Sequence, residues 1–331
     1  MSLVDSMASG QKVLAERQRS PKEWSIDIWQ LILYSWVGSQ WAGVAHLGLA
    51  EKGFGKSEVD IKEIDLCRSS PSARVKDMFT QTNPVKAENL DPKYLKQNPN
   101  GTVPTLTASH LSEPLVDTRQ ILEFLDVSRP SVDGPDLTPA GTQEKAAANA
   151  LIELVHSSDL DTSLILYGCL DNSEVDRVKA SPLYAYLAAR QTALKKYHSA
   201  DPANAFHGAK LEENGTLYST FTDASSADRD AFFKDTAARF KKFAAGLDEL
   251  ERHIRLPYAT GDHVTLADLH IVPWLSHTLW ALGTTDHSDF SKLEGRIQQT
   301  VPDFKTGPKL REWWDNFGKR DSFQEVFKEL H

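Results

Sequence analysis

The stretch Asn98-Pro99-Asn100-Gly101-Thr102-Val103-Pro104 decides how this chain is read. A helical turn, Tyr94-Leu95-Lys96, runs into it and stops at Asn98-Pro99, and Val103 to Thr107 leaves it as a strand. Pro104 is tolerated at the strand's start, because the N–H it lacks costs no ladder bond there. A cis Val103-Pro104 bond would turn the chain sharply and leave the Val103 N–H and C=O facing outward. An extended, peptide-like ligand pairs with such an edge as an added antiparallel strand would. The cis bond is an expectation only, since about 5–6% of X-Pro bonds are cis.

Upstream, Trp29 to Tyr34 reads as a buried strand. Ser39 opens a helix whose Trp41, Val44, Ala45, Leu47, Gly48 and Ala50 supply small and apolar faces, and Gly53 stands where a C′ glycine belongs. Glu58 to Leu66 is a second strand, so the unit is βαβ and its strands are parallel. Cys67 to Ala87 is a polar insertion with a short helix over residues 73–79. Residues 1–24 read as a polar tail.

Downstream, Pro114 to Val116 is expected to be a short fourth strand, and Asp117-Thr118 opens a helix that reaches Leu125. A helix N-terminus offers free N–H groups and a positive dipole end, which suits a carboxylate. Asp117 accepts from an ammonium group and Thr118 adds a hydroxyl. A ligand with an α-amino-acid end is matched on both charges.

Arg129 to Gly141 carries Pro130, Pro135 and Pro139 and is the expected domain boundary. All that follows reads as helix, except a polar loop over Asp201 to Ala227. Thr138 with Pro139 is expected to start the first of these helices. Others run over Pro182 to Tyr197, Asp228 to Ile254, Thr265 to Leu282 and Pro308 to Phe317. Thr265 with Asp268 forms a capping box, with Val264 and Leu269 as its hydrophobic staple.

The 331 residues suffice for two domains, and 40% hydrophobic with 25% charged residues is an ordinary globular balance. A net charge of −9 argues against nucleic acid or an anionic membrane as a partner. Two cysteines, Cys67 and Cys169, make no disulfide framework and fit a reducing compartment. No apolar leader and no membrane-length run is present, so a cytoplasmic location is expected. The eleven histidines form no HxxxH or HExxH pair, so no metal site is expected.

The clamp loop, then Asp117-Thr118, then Thr265-Leu266-Ala267-Asp268 together resemble the glutathione S-transferases. Leu33-Tyr34-Ser35 before a helix ending Glu51-Lys52-Gly53, and Leu310-Arg311-Glu312-Trp313-Trp314 near the end, fit the same family. The resemblance covers roughly residues 30 to 325 and looks closest to fungal cytosolic members of serine type. It implies an N-terminal α/β thioredoxin-like domain (25–128, with the insertion near 67–87), a linker (129–141) and an all-α helical-bundle domain (142–331). It implies a homodimer and glutathione as co-substrate. By the same resemblance Val103 is the backbone clamp, Pro104 the cis-proline, Asp117 and Thr118 the γ-glutamyl site, and Lys96 a partner for the glycine carboxylate.

The thiol-activating residue is expected to be Ser39, with Ser35 second and Tyr34 third. Trp36, Trp41 and His156 are candidates for the wall of an electrophile pocket, and Thr265 and Asp268 are structural. The implied activity is conjugation of glutathione, held as thiolate, to a small hydrophobic electrophile, as in detoxification. The alternatives are a non-catalytic binding or regulatory protein of this fold, or a glutathione-dependent peroxidase, isomerase or ether-cleaving enzyme. The insertions at 67–87 and 168–227 keep the non-catalytic alternative open.

Overall fold

The computed structural model describes residues 31–66, 87–131 and 136–328. The tail over 1–24, the helix over 73–79 and the insertion at 67–86 lie outside the described residues.

Strand β1 (Leu31–Ser35) alternates buried and half-buried positions, as a strand covered more on one face does. Helix α1 (Gln40–Glu51) returns the chain, and β2 (Val59–Glu63) pairs with β1 in parallel, as the βαβ reading requires. Helix α2 (Pro92–Leu95) precedes the clamp loop. Strand β3 (Thr105–Thr107) then pairs antiparallel with β1, giving the order β2-β1-β3. The expected fourth strand is a single bridge, Leu106 to Leu115. Pro114 has no N–H to extend the pairing, and the chain turns at once into α3 (Thr118–Ser128).

Helix α1 is buried nearly all round because two of its positions are glycine. Gly48 lies against the Leu122 side chain of α3, and Gly43 lies against Pro273 and Phe327 of the second domain. Small residues let α1 act as the joint between the domains. One apolar core runs from Val44, Leu47 and Leu122 through Leu151 and Ile152 to Trp274 and Trp313, and a smaller one lies under the sheet.

The second domain begins with α4 (Thr142–Val155), whose N-cap is Gly141. Thr138 and Pro139 therefore do not start it. The Thr138 N–H donates instead to Asp126 of α3 at 2.8 Å, which holds those residues in the linker. Short α5 (Ser163–Tyr167) and α6 (Asn172–Lys179) lead to a long antiparallel pair, α7 (Pro182–Ala200) and α8 (Ala205–Thr222). The expected loop over 201–227 is thus mostly helix. Its apolar stripe, Phe206, Leu211, Tyr218 and Phe221, is diluted by Gly208, Gly215 and polar neighbours, and so was hidden from periodicity. Then come α9 (Ser226–His253), α10 (Leu266–Ala281), α11 (Ser291–Gln298), α12 (Pro308–Gly318) and α13 (Asp321–Val326).

The capping box of α10 is formed on both sides. Asp268 is fully buried and accepts from the Thr265 and Ala259 N–H groups, each at 2.8 Å, and from the Trp313 indole at 2.8 Å. Burial raises the Asp268 carboxyl above its ordinary range, and these three donors work against that shift. No helix among the described residues is long and apolar enough to cross a membrane.

Candidate functional site

The sheet register brings three distant segments to one end. Tyr34 pairs antiparallel with Thr105, so Val103, just before β3, and Ser39, just after β1, lie toward the same end of the sheet. The antiparallel bridge from Leu106 to Leu115 brings Asp117, two residues on, toward that end as well. Ser39, Val103 and Asp117 are far apart in sequence, and each adjoins a paired segment at this same end of the sheet.

Ser39 is the N-cap of α1, extended at φ −96 and ψ 116. Its Oγ accepts the Ala42 N–H at 3.3 Å, a long bond that leaves the hydroxyl proton free to donate. Asp117 caps α3 by accepting the Gln120 N–H at 3.1 Å, and Thr118 is buried in the first turn. The Val103-Pro104 peptide is cis. The Val103 N–H and C=O bond to no group among the described residues, although Val103 is buried. Lys96 ends α2, exposed.

The clamp loop is held from beneath by residues that the sequence reading passed over. Buried Asn98 donates to the Thr102 carbonyl at 2.8 Å and to Thr105 Oγ1 at 2.9 Å, and its Oδ1 accepts the Asn100 N–H at 2.9 Å. The Tyr94 hydroxyl donates to the Thr102 carbonyl at 2.6 Å, and burial raises its pKa. Asn89 donates to the Gly101 carbonyl at 2.7 Å. Gly101 has φ +60, and a Cβ there would meet the Phe206 ring at 2.5 Å. Helix α8 therefore braces the loop. His207 Nε2 also lies 2.8 Å from the Leu90 carbonyl. The one sequence signal for this brace was the glycine in an Asn-Gly pair.

The remaining candidates divide. Ser35 is buried and its Oγ lies 2.8 Å from His46 Nε2. Ser35 and Trp36 line a groove of about 450 Å³ along α1 and β2, with Phe54, Ile61 and Val326 among its walls. Tyr34 is half-buried, edge-on to Tyr94 at 5.9 Å. Trp41 instead stacks on His156 at 4.0 Å, so these two are brought together and Trp36 stands apart from them. No group of three or more potential metal ligands occurs among the described residues.

Residues 33–132 match the family described as glutathione S-transferase, N-terminal domain. The match covers the N-terminal part of the chain, which carries this domain. The chain's whole architecture is that of solved glutathione transferases. Transferase F7 from Populus trichocarpa is 17% identical with a TM-score of 0.50, covering 90% of this chain and 98% of its own. Human transferase T1-1 is 17% identical with a TM-score of 0.51, covering 90% and 88%. A glutathione transferase homolog from Sulfitobacter, solved with bound glutathione, is 16% identical with a TM-score of 0.51, covering 90% and 97%. At such identities the likeness is one of fold. Comparison of the sequence with curated proteins gave no match.

Proposed function

We infer that the chain binds glutathione at the end of the sheet where Ser39, Val103 and Asp117 converge, and conjugates it to a small hydrophobic electrophile. The observation that carries this reading is the main chain of Val103, unpaired among the described residues, at the end of the sheet toward which the capped starts of α1 and α3 also lie. A tripeptide laid there pairs its cysteine backbone with Val103. Its γ-glutamyl carboxylate meets the α3 N-terminus with the Thr118 hydroxyl, and its ammonium group meets Asp117. Lys96 is assigned to the glycine carboxylate.

The sulfur then lies at the start of α1. A free thiol has a pKa of about 8.5, and lowering it by two units requires about 2.7 kcal/mol of preference for the thiolate. A hydroxyl bonded to a charged acceptor contributes about 1.5–3 kcal/mol, and the helix N-terminus adds to it. The free proton of Ser39 therefore suffices. Residues 25–128 are the glutathione-binding unit in this reading, 129–141 the link, and 142–331 the domain that completes the electrophile side. Assembly as a cytoplasmic homodimer belongs to the same proposal.

Calorimetry with glutathione tests the binding half. Wild type binds, and Asp117→Asn and Thr118→Val each weaken binding by about tenfold or more, as expected for loss of one bond to a charged group. Equal affinity in both variants, or no binding by wild type, refutes the site.

A further inference from the structure

His156 and His270 form a pair to which thiolate formation assigns no task. His156 caps the C-terminal end of α4, and His270 lies on α10 with 0% of its surface exposed. His156 Nε2 and His270 Nδ1 are 2.8 Å apart. The His156 ring, partly covered by its neighbours, stacks on Trp41 at 4.0 Å and 17°, and Trp41 follows Ser39 by two residues. The charged groups acting on His156 are Asp117 and Arg119 of α3, and Arg119 also acts on His270. His156 is therefore within electrostatic reach of the start of α3, which Asp117 caps.

One proton lies between the two rings. Were His156 its donor, His270 would carry its own proton on Nε2, which is buried without a hydrogen-bond partner. Were His270 the donor from Nδ1, Nε2 would be a bare lone pair. A buried, orphaned N–H is the rarer and costlier arrangement. His270 is thus the donor, and the proton of His156 sits on Nδ1, where no described residue accepts it. Burial holds both imidazoles below the ordinary histidine range, so the pair is neutral near pH 7.

We propose that His156, oriented by His270 and Trp41, is a specificity-determining residue that donates from Nδ1 to an oxygen of the electrophile, favouring α,β-unsaturated carbonyl compounds over halides. This rests on the glutathione reading above. The thiolate sulfur bonds to the β-carbon, the C=C π pair shifts to join the α-carbon and the carbonyl carbon, the C=O π pair moves onto oxygen, and the resulting enolate takes a proton from water at its α-carbon. His156 keeps its own proton and bonds the oxygen as charge builds there. In displacement of chloride from benzyl chloride the charge leaves on the halide, and the donor has no oxygen to serve.

The test compares kcat and KM of the full chain for glutathione with 4-phenylbut-3-en-2-one and with benzyl chloride. In His156→Phe, which keeps a ring against Trp41, the enone-to-halide ratio of kcat/KM falls by about 10- to 100-fold, mostly in kcat. His156→Gln, which keeps an N–H donor, recovers part of that ratio. Nitrogen-15 NMR of the histidines reads the tautomers independently and shows a proton on Nδ1 of both rings. An unchanged ratio in His156→Phe overturns the inference, as does a proton on Nε2 of His270. A wild type that binds glutathione as thiolate but conjugates neither compound overturns it alone. A wild type that binds no glutathione overturns both readings.

Discussion

Ser39 performs two tasks that do not compete, because a hydroxyl accepts and donates at once. Its oxygen caps α1 and its proton is left for a thiolate. Ser35 lacks that freedom, being buried against His46. Ser35→Ala therefore leaves any thiolate shift intact and costs about 1 kcal/mol of stability, read by urea denaturation. Asn98 is the other decisive side chain. Asn98→Ala takes one of two close donors from the Thr102 carbonyl and leaves the Asn100 N–H without its acceptor, and lowers stability by about 1–3 kcal/mol in the same measurement. Caps such as Ser39, Asp117 and the Thr265–Asp268 box were legible because they act within three residues of themselves. Asn98 and Tyr94 were not, because their role depends on burial beneath a loop. His270 was invisible for a like reason, since its partner His156 lies on another helix.

At the scale of elements, α8 is the addition that matters for the loop. It lays Phe206 over Gly101 and His207 under Leu90. Gly101→Ala meets both the left-handed backbone and the Phe206 ring, and costs about 1–2 kcal/mol from the backbone alone. The clamp shifts as Phe206 gives way, so glutathione affinity falls with stability. Calorimetry and thermal denaturation on one variant show both. The βαβ unit was legible from its strands, its helix and the C′ glycine, Gly53. The α7–α8 pair was only half legible, since α8 has too many polar and glycine positions for periodicity to mark it.

The molecule as a whole is closed by two ion pairs reaching from the C-terminal end of α1. Lys52 and Asp126 meet at 2.9 Å, both buried, and Asp126 also accepts the Leu137 and Thr138 N–H groups of the linker. Glu51 takes two bonds from Arg320 near the C-terminus, each at 2.7 Å. Asp126→Ala leaves Lys52 without its buried partner and frees the linker, costing about 3–5 kcal/mol in denaturant unfolding. The histidine pair sets the response to mild acid. Both titrate lower in the folded chain than the usual value of about 6.5. As pH falls below that value the unfolded chain takes up protons first, so stability present above it is lost. The melting temperature therefore declines from pH 7 toward pH 5, and declines less in His156→Gln. Glu58 and Glu294, held below the carboxylate range, contribute only at more acid pH.

The most direct test of a glutathione thiolate held by Ser39 is titration of the bound thiol by its ultraviolet absorbance, in wild type and in Ser39→Ala. The bound thiol pKa is expected well below about 8.5 in wild type, with most of that shift lost in Ser39→Ala. An unshifted thiol in wild type, or a shift that survives in Ser39→Ala, contradicts it.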